Sequence, residues 1–263
     1  MNRFDEVERV LEKMSARQGL FDEVTYGVLL RRYATTRKVK ETIDIFCKTR
    51  KEFGLELDLA AFQKLLMWLC RNKLVGESGE VFDSLKEDFD ESIKTMNIIL
   101  DGWCILGDVH EAKRFWKKIL ASDCKPCDYT YCCYIKALTK KGKLGTAMKL
   151  FQSLWENGNK PDVAICNLVI DALCFKKRIP EALEVFSLMK ERGCSPNVVT
   201  YNTFVKHMCK IHRMDKVEEI LNEMASTGGD CSPNSITYGY MLSCSKKPEE
   251  VSRLIEENGK RQL

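Results

Sequence analysis

The chain has 263 residues, 44% of them hydrophobic and 30% charged, a balance that fits a folded protein and excludes an intrinsically disordered one. A formal net charge of +4, with Lys and Arg spread along the chain, permits a polyanionic partner without demanding one. No apolar run reaches the about 18 residues of a transmembrane helix, and 6 prolines with 15 glycines leave little room for a β-sandwich of many tight turns.

The N-terminal stretch MNRFDEVERVLEKM reads as an amphipathic helix of balanced charge, unlike a secretory signal or an acid-poor transit peptide. From residue 23 onward the chain falls on a ruler of about 35 residues, and such a period points to a solenoid or propeller. The units are 23–58, 59–92 (degenerate), 93–127, 128–162, 163–197, 198–234 and a short terminal 235–263; residues 1–22 match the second half of a truncated unit. The chain therefore reads as opening inside a repeat.

Each unit predicts two helices. The first carries VTYGVLLRRYAT, AAFQKLLMWLCR, KTMNIILDGWCI, YTYCCYIKALTK, AICNLVIDALCF and VTYNTFVKHMCK in successive units, with apolar residues at helical spacing. A large residue recurs near its start: Tyr26, Phe62, Met96, Tyr131, Tyr201 and Tyr238. The second helix carries HEAKRFWKKI, GTAMKLFQSL, PEALEVFSLM and MDKVEEILNEM. There a small residue (Ala112, Ala147, Ala182) precedes by one turn a large one (Trp116, Phe151, Phe186), as Val217 precedes Leu221. Such an i, i+4 pair marks the face that meets a neighbouring helix. Pro180 suits a helix start, where its missing N–H is no loss, and Gly158 and Gly193 suit helix ends before Pro161 and Pro196. Period-two alternation and NG or DG hairpin turns are absent. The expected fold is all-α: a right-handed superhelical solenoid of stacked helix-turn-helix repeats, one domain in which neighbours bury each other's faces.

The chemistry of the 13 cysteines follows the same ruler. Cys70, Cys104, Cys174 and Cys209 recur at multiples of the period inside apolar helices, so they read as buried packing thiols of a reducing compartment. Cys124 and Cys127, with the adjacent Cys132 and Cys133, lack a second C-x2-C at zinc-finger spacing, and no metal or other cofactor is expected. His110, His207 and His212 show no catalytic partner in sequence, GKLGTA fails the phosphate-loop pattern, and Glu218–Glu219 reads as a solvated helix face. The reading is of a protein that is not an enzyme.

The segment VVTYNTFVKHMCKIHRMDKVEEILNEMAST at 198–227 closely resembles a pentatricopeptide repeat, and VAICNLVIDALCFKKRIPEALEVFSLMKERGCSPN at 163–197 matches that pattern almost throughout. The resemblance is strongest over 93–234 and extends in weaker form to the rest; tetratricopeptide repeats share the period but not the opening motif. It implies a non-catalytic, sequence-specific binder of single-stranded RNA, one base per repeat, like the pure-repeat proteins of plant organelles that support transcript processing, stability, splicing or translation. In that family the fifth and last residues of a repeat read the base, and the second sandwiches it. Carried onto this chain, the reading pairs are Gly27 with Asp58, Gln63 with Ser92, Asn97 with Cys127, Cys132 with Asp162, Asn167 with Asn197, and Asn202 with Asn234. The sandwiching residues are Val24, Ala60, Lys94, Tyr129, Ala164, Val199 and Ile236. Paired asparagines resemble the family's C-preferring combination, so 163–234 should take adjacent pyrimidines; an asparagine at a helix start can also cap local N–H groups. Arg71, Lys140 and Lys210 end their first helices at one repeat position, where they could face phosphates or simply sit solvated at a helix C-terminus. The expected partner is pyrimidine-leaning RNA bound by a monomer away from membranes. Mitochondrion is the expected compartment, with plastid or cytosol as alternatives. A protein-binding helical scaffold, and a truncated copy that is not imported, are the competing readings.

Overall fold

A computed structural model describes residues 9, 10, 13, 23–35, 39–52, 58–89, 92–156, 158, 160–244, 249, 252 and 256. The chain forms two units, Met1–Thr130 and Tyr131–Leu263. All regular structure among the described residues is helical. The side chain of Tyr26 and the expected half-repeat 1–22, save residues 9, 10 and 13, lie outside the described residues.

In the first unit the helices are α1 (Glu23–Thr35), α2 (Val39–Glu52), α3 (Leu59–Arg71), α4 (Val75–Leu85), α5 (Ile93–Leu106) and α6 (Val109–Ala121), with a 3-10 turn at Lys86–Asp88. α1 lies beside α3 and α3 beside α5, while each is backed by the helix that follows it. The apolar stripe of α3 explains the arrangement: Phe62, Leu65, Leu66 and Leu69 are all buried, as are Met96, Ile99 and Leu100 of the adjoining α5. Phe46 of α2, Phe62 and Phe89 form one aromatic cluster, with the Phe62 and Phe89 rings stacked at 4.6 Å. Gly27 is fitted to its neighbour, since a Cβ there would meet the Trp68 ring at 3.1 Å.

α7 (Asp128–Lys140) spans the unit boundary. The second unit continues with α8 (Leu144–Glu156), α9 (Val163–Phe175), α10 (Ile179–Glu191), α11 (Val198–Lys210), α12 (Met214–Thr227) and α13 (Ser235–Cys244), with a 3-10 turn at Gly229–Cys231. Here α9, α11 and α13 lie side by side, backed by α10 and α12. Ala147 and Ala182 are fully buried, and the large residues one turn on are buried with them: Phe151 is 1% and Phe186 9% exposed. Ala112 and Trp116 show the same pairing in the first unit, so small residues let helices approach while the next turn fills the gap.

One turn recurs between the first and second helix of five described pairs. Lys73, Gly107, Gly142, Lys177 and His212 all adopt left-handed φ of 57–73°. Each begins the same two hydrogen bonds back into the last helical turn, as with Lys177 N–H to Cys174 O (2.9 Å) and Arg178 N–H to Leu173 O (2.9 Å). Gly158 and Gly193, placed at helix ends by the sequence, are left-handed too.

No disulfide joins the described cysteines. Cys174 and Cys209 are buried as expected, whereas Cys70 and Cys104 are only half-buried. Burial pushes the thiols up, Cys70 to about 11 and Cys104 and Cys174 to about 12, so these remain protonated packing groups. No helix of the described residues is long and apolar enough to cross a membrane.

Candidate nucleic-acid interface

The residue before four of the first helices caps it with its side chain. Asp58 Oδ1 accepts from Ala61 N–H at 2.8 Å, and Asp162 Oδ1 accepts from Ile165 N–H at 2.8 Å. Asn197 Oδ1 accepts from Val199 and Thr200 N–H, both at 3.1 Å, and Asn234 Oδ1 does the same with Ile236 and Thr237. These are N-cap contacts, each worth about 1 kcal/mol of helix stability. A hydroxyl completes the box in both asparagine caps: Asn197 N–H donates to Thr200 Oγ1 (3.1 Å) and Asn234 N–H to Thr237 Oγ1 (3.0 Å). Ser92 precedes α5 without a side-chain cap bond.

In three repeats the fifth residue, one turn into the first helix, meets the residue before the next first helix, 30 or 32 positions later. Asn167 Nδ2 donates to Asn197 Oδ1 at 3.4 Å, Asn202 Nδ2 to Asn234 Oδ1 at 3.3 Å, and Asn97 Nδ2 to Cys127 Sγ at 3.5 Å. Three of the six expected pairs are thus hydrogen-bonded neighbours. Gln63 turns elsewhere, donating from Nε2 to Thr95 Oγ1 at 3.0 Å. Cys132 is half-buried on α7, and the Asp162 carboxylate serves its own helix. Asn197 and Asn234 are caps and pair members at once, while Asn97, Asn167 and Asn202 lie inside their helices and cap nothing.

The amide oxygens differ among these pairs. Thr237 Oγ1 donates to Asn202 Oδ1 at 2.6 Å, whereas the buried Oδ1 atoms of Asn97 and Asn167 have no donor. An acceptor left so costs about 1–3 kcal/mol in the free protein.

The seven residues at the second position are all exposed: Val24, Ala60, Lys94, Tyr129, Ala164, Val199 and Ile236. Among them the apolar side chains Val24, Tyr129 and Ile236 are 73%, 55% and 56% exposed. Arg71, Lys140 and Lys210 are exposed at the ends of α3, α7 and α11, but Ile105 (76%) and Phe175 (69%) occupy that place on α5 and α9. In the first unit a cleft of about 950 Å³ brings these roles together, its walls carrying Arg71, Lys94, Asn97, Ile105, Cys127 and Tyr129.

A feature that spacing did not reveal lies one turn beyond Asn167. His207, read as partnerless in sequence, is buried with Nε2 2.9 Å from Asp171 Oδ1, and Lys206 Nζ reaches the same oxygen at 2.9 Å. The hydrogen bond from His207, helped by Lys206, holds the Asp171 carboxyl down at about 2. Only a 35-residue offset between Asp171 and Lys206 hinted at the contact. His110 is exposed, paired within its own turn to Glu111, and no group of three His, Cys, Asp or Glu able to hold a metal occurs among the described residues.

Models of the PPR repeat family match residues 91–140, 161–210 and 196–247, and a PPR repeat model matches 129–159. These matches cover more than half of the chain. The chain belongs to the pentatricopeptide repeat (PPR) family. A pentatricopeptide repeat-containing protein of Arabidopsis thaliana is 54% identical over 142 residues, covering 54% of this PPR chain and 27% of that protein. A second Arabidopsis protein, named as mitochondrial, is 30% identical over 172 residues, covering 65% of the chain and 30% of its own length. The chain therefore spans less than a third of either relative. The crystal structure of PPR10 from maize matches 97% of this PPR chain and 37% of its own, with a TM-score of 0.66 and 29% identity. PPR10 solved in complex with an 18-nt psaJ RNA element superposes with a TM-score of 0.54 at 22% identity, over 92% of this chain and 39% of that one, a likeness of fold.

Proposed function

We propose that this PPR chain is a non-catalytic adaptor that binds single-stranded RNA by sequence and acts on organellar transcripts. The observation that carries the reading is the repeated side-chain pair, Asn97–Cys127, Asn167–Asn197 and Asn202–Asn234, each flanked by an exposed second-position residue. A paired amide offers donor and acceptor to a Watson–Crick edge, and unpaired RNA bases expose that edge. The RNA carried by PPR10 supports the same class of ligand. Asn167–Asn197 and Asn202–Asn234 are consecutive, so 163–234 takes two adjacent pyrimidines, each step preferring C with U as second choice. The protein acts by occupancy as a monomer, shielding or unfolding the segment it covers, and the mitochondrial name of a relative supports that compartment.

Fluorescence anisotropy with labelled oligoribonucleotides tests this reading. A CC-containing single strand should bind more tightly than an AA-containing one, with affinity falling as salt rises because phosphate contacts release counterions. Equal affinity for both sequences removes the base-reading role, and no binding at low salt removes the RNA role altogether.

A further inference from the structure

Cys127 stands where other first helices of this chain are preceded by an acceptor: Asp58, Asp162, Asn197 or Asn234. Its sulfur inherits that acceptor's surroundings. Asn97 Nδ2 donates to Sγ at 3.5 Å, and the backbone N–H groups of Tyr129 and Thr130 address it at the N-terminus of α7. Thr130 Oγ1, 3.3 Å from Sγ, accepts from Cys127 N–H at 3.0 Å, which leaves its own proton free to point at the sulfur. A thiol in a ring of donors has one proton too many; a thiolate accepts from all of them and meets the positive end of the helix. Burial by itself raises the thiol, yet the Thr130, Asn97 and Tyr129 hydrogen bonds together bring it below its ordinary value. Every other cysteine with a resolved shift moves up.

A second observation says what the site would hold. Asn97, 7% exposed, keeps its Nδ2 on the sulfur while its Oδ1 has no donor, so an acceptor waits beside the thiol. Three cations, Arg71, Lys73 and Lys94, line the same cleft against one carboxylate, Asp101, and Cys127 itself is exposed. A small peptide with carboxylates for the cations and an amide N–H for Asn97 fits this chemistry.

We propose that Cys127 is a modification site that reacts with peptide disulfides of the glutathione type. The Cys127 thiolate attacks one sulfur of glutathione disulfide and forms a new S–S bond. The old S–S bond breaks, and the second glutathione leaves as a thiolate that takes a proton from solvent. The adduct fills the cleft between α3 and α5, where Asn97 and Cys127 would read a base. That consequence rests on the RNA-binding reading above; the thiol reaction does not.

The reduced chain is incubated with glutathione disulfide over a pH series, and the adducts are located by peptide mass spectrometry. Cys127 should react about tenfold faster than Cys124 or Cys132, with a midpoint below that of an ordinary thiol. Thr130→Val, checked for its fold by circular dichroism, should move that midpoint up; if the variant does not fold, the profile of the unaltered chain decides alone. Comparable rates at the three cysteines, or an ordinary midpoint at Cys127, overturn the proposal. In a parallel arm, the adduct should weaken RNA binding about tenfold, with recovery under dithiothreitol, and Cys127→Ser should abolish that difference between treated and untreated protein. Equal binding before and after modification overturns the gating. No RNA binding in either state counts against the RNA reading and leaves the thiol result standing.

Discussion

Asn167 Nδ2 donates to Asn197 Oδ1 at 3.4 Å, while Asn167 Oδ1 is buried without a donor. In the next repeat Thr237 supplies that missing proton to Asn202; its counterpart Thr200 lies 3.2 Å from Asn197 Oδ1. Two asparagine pairs of the same composition are therefore not equivalent: one amide is closed and the other is waiting.

The waiting oxygen separates function from stability. Removing a side chain whose acceptor is unsatisfied relieves a penalty of about 1–3 kcal/mol, against a net loss of about 1 kcal/mol for its one hydrogen bond. Asn167→Ala should leave the urea midpoint unchanged or slightly raised, yet lower affinity for a CC-containing RNA about tenfold, near 1.4 kcal/mol. Asn202→Ala, which frees Thr237 and Asn234 from their partner, should lose both stability and affinity. Equal stability losses for the two variants would contradict the difference between the pairs.

Tyr129 presents more than half of its surface at the start of α7, on the wall of the cleft that holds Asn97 and Cys127. An exposed ring contributes little to the core but offers a stacking face worth about 1–3 kcal/mol per base. Tyr129→Ala should leave the melting temperature unchanged and weaken RNA binding about tenfold; Tyr129→Phe should bind as before. A loss with both variants would point to the hydroxyl and away from stacking.

Much of this was legible because a solenoid repeats its physics. The 35-residue period placed the helix pairs and the buried small-to-large steps, which follow from spacing, whereas the second positions came from the family resemblance. Composition concealed the rest. The left-handed turn is visible where Gly107 and Gly142 fill it and invisible at Lys73, Lys177 and His212, which carry no glycine signal. His207 looked partnerless because Asp171 arrives from the preceding repeat. Gln63 sits at a reading position by count, yet packing against α5 gave its amide to Thr95.

The Asp171 contacts give a pH signature. Its carboxyl is held at about 2, below its ordinary 3.8, by His207 first and then Lys206. A group depressed in the folded state contributes in full above its unfolded value and loses that contribution as pH falls through the folded one. Asp171→Asn should therefore lower stability at neutral pH by about 1 kcal/mol, discounted for a carboxylate 45% exposed to solvent. The gap to the unaltered protein should close between pH 3.8 and about 2. Urea midpoints of both proteins across that window provide the check, and a gap that persists at the acid end would assign the loss to packing.

The recurring turn predicts stability changes of opposite sign at equivalent positions. Lys177 holds φ at 60°, a conformation that costs a residue with a Cβ about 1–2 kcal/mol and costs glycine almost nothing. Lys177 is exposed, so replacing it removes only a favourable helix-end charge of about 0.3–1 kcal/mol. Lys177→Gly should stabilise the chain by about 0.5 kcal/mol once the greater freedom of glycine in the unfolded chain is included. Gly142 occupies the same turn at φ 73°, and a Cβ there would find its nearest neighbour, Lys176 Nζ, at 3.9 Å, so nothing steric stands in its way. Gly142→Ala should still destabilise by about 1 kcal/mol, from backbone strain alone. Urea denaturation of the two variants measures both signs, and a neutral Gly142→Ala would mean that the turn yields its left-handed geometry without cost.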